Sequence, residues 1–81
     1  MKRPTKAGIQ NQLAPGLVIR NGKLHLFKVD AERAMDEIMS SFSGVYCGIN
    51  ANKYGQMVFF VQSATTRTKF FEALIIDDVK I

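Results

Sequence analysis

Cysteine and histidine are nearly absent from this chain, with Cys47 and His25 as the single residue of each type. One cysteine excludes an internal disulfide. One cysteine with one histidine cannot supply the ligand set of a structural zinc site. The expectation is therefore a protein of a reducing compartment such as the cytoplasm, with no metal and no cofactor. Long apolar runs are also missing. The longest, Met57 to Val61, is five residues, against the roughly 20 that cross a bilayer, so no membrane partner is expected. After Met1, Lys2 and Arg3 the chain is interrupted by Pro4, Gly8, Asn11 and Pro15, which leaves no apolar core for a secretion signal. With 81 residues there is room for one hydrophobic core, and a chain of this size buries only about 60% of its unfolded surface. Association with a partner or a second copy is the natural support for such a small core.

Acidic residues are missing from the first 29 positions, which carry Lys2, Arg3, Lys6, Arg20, Lys23 and Lys28. The next segment reverses sign with Asp30, Glu32, Asp36 and Glu37 against Arg33. Residues 45–71 are again basic, through Lys53, Arg67 and Lys69, and the last ten are acidic through Glu72, Asp77 and Asp78 against Lys80. The net charge of +4 thus conceals segregation by segment, which gives a folded domain two electrostatic faces.

Local patterns define most of the elements. Asn21-Gly22 lies between alternating residues, the signature of a two-residue type I′ hairpin, because both central positions need positive φ. Such closure sets Ile19 opposite Leu24 and Leu17 opposite Leu26 on an inner face, and leaves Val18, Arg20, Lys23, His25 and Phe27 on the outer one. Asp30 reads as a helix N-cap. It is followed by a stripe at Ala31, Ala34, Met35, Ile38, Met39 and Phe42, with Arg33 and Glu37 spaced to pair and Ser43-Gly44 as the stop. Val45 to Asn50 reads as a strand, and Gln56 to Ser63, apolar on both parities, as a central strand covered on two sides or packed at a partner. For residues 66–76 helical and extended patterns compete, and the threonines with Leu74, Ile75 and Ile76 favour a strand. Residues 1–16 read as a basic N-terminal arm anchored by Ile9 and Leu13, and residues 17–81 as a single domain. The expected class is α+β: an N-terminal hairpin, one amphipathic helix and a C-terminal meander of two or three strands, forming a small antiparallel sheet with the helix on one face.

No catalytic set emerges. The six glycines are isolated turn or packing positions rather than a phosphate loop. Cys47 shares its parity with Val45 and Ile49 and reads as a buried thiol. Asp36-Glu37 and Asp77-Asp78 are sequence neighbours that face water rather than one another. A non-enzymatic protein is expected. Cations interleaved with an aromatic ring suit phosphate contact and base stacking, so the candidate nucleic-acid-binding residues are Lys2, Arg3, Lys6, Arg20, Lys23, His25 and Phe27. The alternative is a small inhibitor or adaptor, of mobile-element or phage type, that docks on a larger protein. A homo-oligomer is compatible with either reading.

Overall fold

Asn21 and Gly22 both adopt positive φ, 54° and 73°, and the chain reverses there from β1 (Leu17–Arg20) into β2 (Lys23–Phe27). The register is Ile19 opposite Leu24 and Leu17 opposite Leu26, as the turn type requires. The structure is a computed structural model that describes residues 2–77. Leu26 is fully buried and Leu17 and Leu24 are half-buried, but Ile19 is 72% exposed. The turn end of the hairpin therefore extends past the layer that covers its inner face.

Helix α2 (Lys28–Ser41) follows β2 directly. Asp30 is not its N-cap. That position falls to Phe27, without a side-chain bond, and Asp30 sits within the first turn. Its carboxylate is buried, 3.6 Å from the Arg33 guanidinium and close to Gly16, where it still opposes the positive end of the helix dipole. Arg33 also bonds Glu37 at 2.8 Å. Ala31, Ala34, Ile38 and Phe42 are buried and Met35 is half-buried, whereas Met39 lies at the margin of the stripe, 49% exposed. The helix ends with Phe42 already extended, and Gly44, at φ 69°, turns the chain into the next strand.

Strands β3 (Val45–Ala51), β4 (Met57–Ser63) and β5 (Lys69–Ile76) form an antiparallel meander. At the β3–β4 turn the Asn52 side-chain oxygen accepts from the amides of Tyr54 and Gln56, both at 2.9 Å. A bulge sets Lys69 opposite Gln62 and Phe71 opposite Val61. The extra residue, Phe70, turns toward the core and packs against it.

The fold is α+β, with a five-stranded sheet in the order β1-β2-β5-β4-β3. Two features correct the expected layout. The sheet is mixed rather than antiparallel, because β5 runs parallel to β2 through His25–Leu74, Leu26–Ile75 and Phe27–Ile76. There is also a second helix. Residues 1–16, expected as an arm, contain α1 (Lys6–Leu13) and a 3-10 turn at Ala14–Gly16. Thr5 caps α1 by accepting from the Gly8 amide at 3.0 Å. The Phe42 ring lies against Gly8, 3.4 Å from where a Cβ would sit. Ile9 and Leu13, the expected anchors, are 0% and 2% exposed and belong to the same core as Leu26, Ile38, Phe42, Phe59, Val61 and Phe71. Both helices cover one face of the sheet, and no helix among the described residues is long and apolar enough to cross a membrane.

Ile9→Ala, at the most buried position of α1, is expected to destabilise the protein by about 2–5 kcal/mol. A urea titration followed by circular dichroism measures this. A loss below about 0.5 kcal/mol would mean that α1 is an accessory arm.

Candidate nucleic-acid interface

The chain path decides which cations meet. The helix α2 C-terminus leads through Gly44 into the start of β3. The start of β3 pairs with the end of β4, Val45 opposite Ser63. The β4–β5 turn and the start of β5 follow there, and β2, parallel to β5, begins at the same end with the β1–β2 turn. The N-terminal segment is tied to this end as well. The Lys2 amide donates to the Ser41 carbonyl at 2.9 Å, and the Ser43 amide donates to the Lys2 carbonyl at 3.3 Å. Lys2, Arg3, Lys6, Arg20, Lys23, Arg67 and Lys69 are therefore all carried at one end of the molecule, and all are exposed. Lys2 also lies near the last carbonyls of α2, where a cation is favoured.

Of the expected interface residues, Lys6 and Lys23 line one open groove of about 680 Å³, together with Lys69, Glu72, Tyr54 and Leu74. Glu72 is the acid set among these cations, and it pairs with Lys69 at 3.0 Å. Arg20 stands opposite Lys23 across the hairpin. His25 is half-buried on the helix-free face, with Nδ1 3.0 Å from the Lys23 carbonyl. Phe27 does not join the group. It lies at the far end of β2, half-buried beside Ile76, close to where Lys28 and Asp77 pair at 3.7 Å.

The aromatic ring at the basic end is Tyr46. It is 52% exposed on the helix-free face and lines a shallow depression with Gln62, Ala64 and Arg67. Its ring centroid is 6.0 Å from that of Phe60. Phe60 lies over Gly48, and a Cβ at Gly48 would stand 2.9 Å from the end of the Phe60 ring. Glycine at this point allows the two rings to lie together across β3 and β4. Arg67 takes a positive φ of 63° in the turn, where the Ser63 hydroxyl accepts from the Thr65 and Thr66 amides. Tyr46, Arg67 and Lys69 escape sequence reasoning because their proximity requires the β4–β5 hairpin, in the segment whose pattern is ambiguous. The one signal is the second acid-free stretch, residues 45–71.

The constellations set aside in the sequence separate further in space. Two strands stand between the one bearing His25 and the one bearing Cys47, and the two side chains point to opposite faces. Cys47 is 5% exposed, and burial pushes its thiol up to about 11. Glu37 bonds Arg33, Asp36 and Asp77 are exposed, and Asp78 lies outside the described residues. No group of three or more potential metal ligands occurs among the described residues.

Comparison with protein-family models, curated proteins and solved structures finds no match.

Two outcomes test this geometry. Gly48→Ala is expected to displace the Phe60 ring and lower stability by about 1–3 kcal/mol, with a loss of near-ultraviolet ellipticity; unchanged stability would show that the rings do not depend on Gly48. Because the folded Cys47 thiol titrates above its ordinary value of 9.0, its stabilising contribution is complete below pH 9 and is lost as pH rises toward 11. Between pH 8 and pH 10 the wild type should lose about 1 kcal/mol more than Cys47→Ala, measured as the difference between their urea titrations.

Proposed function

We propose that this protein binds nucleic acid without acting on it chemically, through the basic end that carries Lys2, Arg3, Lys6, Arg20, Lys23, Arg67 and Lys69. The observation that carries this reading is that seven of the nine cations of the two acid-free stretches, residues 1–29 and 45–71, meet at one end of the sheet, with Lys28 and Lys53 toward the other. A cluster of one sign is unfavourable for the folded protein taken alone and becomes favourable against a polyanion, where each phosphate contact releases a counterion. Tyr46, exposed beside Arg67, offers a ring on which an unpaired base stacks while the cations hold the neighbouring phosphates. This favours single-stranded over duplex targets. His25 stands between the basic end and Phe27, and Phe27 lies outside the proposed contact.

A second reading, a protein-binding inhibitor or adaptor, draws on the helix-free face, where Val58, Phe60, Leu74 and Ile76 form an apolar centre. A pull-down from nuclease-treated lysate separates the two. Loss of every partner supports nucleic acid, and a stoichiometric protein that survives supports the adaptor.

Fluorescence anisotropy with a short labelled single strand, RNA or DNA, at two salt concentrations is the direct measurement. Affinity should fall steeply with salt, and Lys6→Ala, Lys23→Ala and Arg67→Ala combined should weaken binding at least about tenfold and reduce the salt slope by about 2. Micromolar or weaker binding at low salt, without a slope, would overturn the proposal.

A further inference from the structure

We infer that the outer edge of β3 pairs with β3 of a second copy of this chain, antiparallel, about a twofold axis through Gly48. The inference stands on backbone geometry and does not depend on the proposed nucleic-acid contact.

The sheet ends in two unlike edges. One is β1, four residues long, finishing in Arg20 with Lys23 opposite, and short charged edges resist further pairing. The other is β3, seven residues long. From Ser40 to Asn52 the chain has no charged residue and no proline, and the β3 ladder is regular, without a bulge. Within β3 itself there is no charge, proline or bulge to blunt the edge, and among the described residues the N-terminal segment pairs only with residues 41–43, just before it.

The direction of the free backbone groups follows from the ladder. Just outside the two ends of the β3–β4 pairing, the Ala64 amide donates to the Gly44 carbonyl and the Asn52 amide to the Gln56 carbonyl, both at 2.9 Å. These positions are hydrogen-bonded pairs of the same register, and such pairs alternate with non-bonded ones along an antiparallel ladder. Tyr46, Gly48 and Asn50 therefore bond to β4. The amides and carbonyls of Val45, Cys47, Ile49 and Ala51 point outward, and among the described residues no backbone bond reaches them from elsewhere.

This pattern is complementary to itself. With Gly48 facing its own copy, Val45 meets Ala51 and Cys47 meets Ile49, so every outward group meets another outward group, and all seven residues are used. Gly48 falls at a non-bonded pair, where Cα atoms approach to about 4.5 Å and the absence of a Cβ helps. Charge selects the same arrangement. In an antiparallel pair the basic ends of the two copies, each chain carrying +4, lie at opposite ends of the joined sheet. A parallel pair would set them side by side. The product is a ten-stranded sheet with both helix layers on one side.

The register has a specific signature, since Tyr46 of one copy faces Asn50 of the other. Light scattering should give a mass near twice the 9.1 kDa of one chain. Tyr46→Cys with Asn50→Cys should cross-link the dimer under mild oxidation, as facing non-bonded positions suit a disulfide. Within one chain the two positions are about 13 Å apart, beyond disulfide reach. Either substitution alone should stay at monomer mass on a non-reducing gel. Ala51→Pro removes only an outward amide and should yield a folded monomer, checked by circular dichroism. A monomeric wild type overturns the inference. So does cross-linking by a single variant, a double variant that folds but does not cross-link, or an Ala51→Pro protein that remains dimeric.

Discussion

The parallel pairing of His25, Leu26 and Phe27 with Leu74, Ile75 and Ile76 is the contact on which the rest of the structure depends. On one side of it stands the β1–β2 hairpin, on the other the β3–β4–β5 meander, each closed by its own local turns. An isolated two-stranded ribbon is marginal in water, and the meander taken alone leaves its apolar side uncovered. Joined through β5, they form one surface on which α1 and α2 lie, and Leu26, Phe71, Ala73, Phe59 and Val61 become a continuous floor beneath Ile9, Leu13, Ala34 and Ile38.

The same pairing sets the electrostatics. Because β2 and β5 run in the same direction, the starts of both strands lie together, and with them the β1–β2 and β4–β5 turns. Had β5 run antiparallel to β2, Arg67 and Lys69 would sit at the opposite end from Arg20 and Lys23, and the positive charge would be spread over the molecule. Segregation in sequence becomes segregation in space only through this topology. Three of the acids, Asp30, Glu32 and Asp77, lie toward the end where α2 begins and β5 finishes, while Glu72 stays among the cations.

The features legible in the sequence are those decided within a few residues. Asn21-Gly22 dictated its turn and register, the spacing from Ala31 to Phe42 dictated a helix, and the double apolar parity of Met57 to Val61 marked an interior strand. The rest required information from distant parts of the chain. Residues 6–13 resemble an arm because Gly8, Gln10, Asn11 and Gln12 dilute the apolar signal. What makes them a helix is the Thr5 cap and the burial of Ile9 and Leu13 beneath Phe42 and the sheet. Of residues 66–76, which the threonines and the run at Leu74, Ile75 and Ile76 favour as a strand, 69–76 form β5 and 66–68 belong to the turn, and the bulge at Phe70 breaks the alternation and produces the ambiguity. The parity of Phe27 places it on the face of the hairpin that carries Arg20 and Lys23. Parity gives the face of a strand and not the position along it, so the ring at the basic end, Tyr46, was visible only once β3 had been placed.

One remaining asymmetry is physical rather than compositional. Two helices on a five-stranded sheet cover one face, and on the other Val58, Phe60 and Ile76 are buried with no second layer among the described residues, partly by contact among their own side chains. The edges have no such recourse, because a backbone amide is satisfied only by an acceptor or by water. The β1 edge is four residues long and ends in Arg20, opposite Lys23 of β2. At β3 the outward groups of Val45, Cys47, Ile49 and Ala51 flank a strand with no charge to hold water, beneath side chains already half withdrawn into the core. An edge of that kind is a ready template for a further strand. The pairing its own geometry accepts without altering a single β4 bond is with itself.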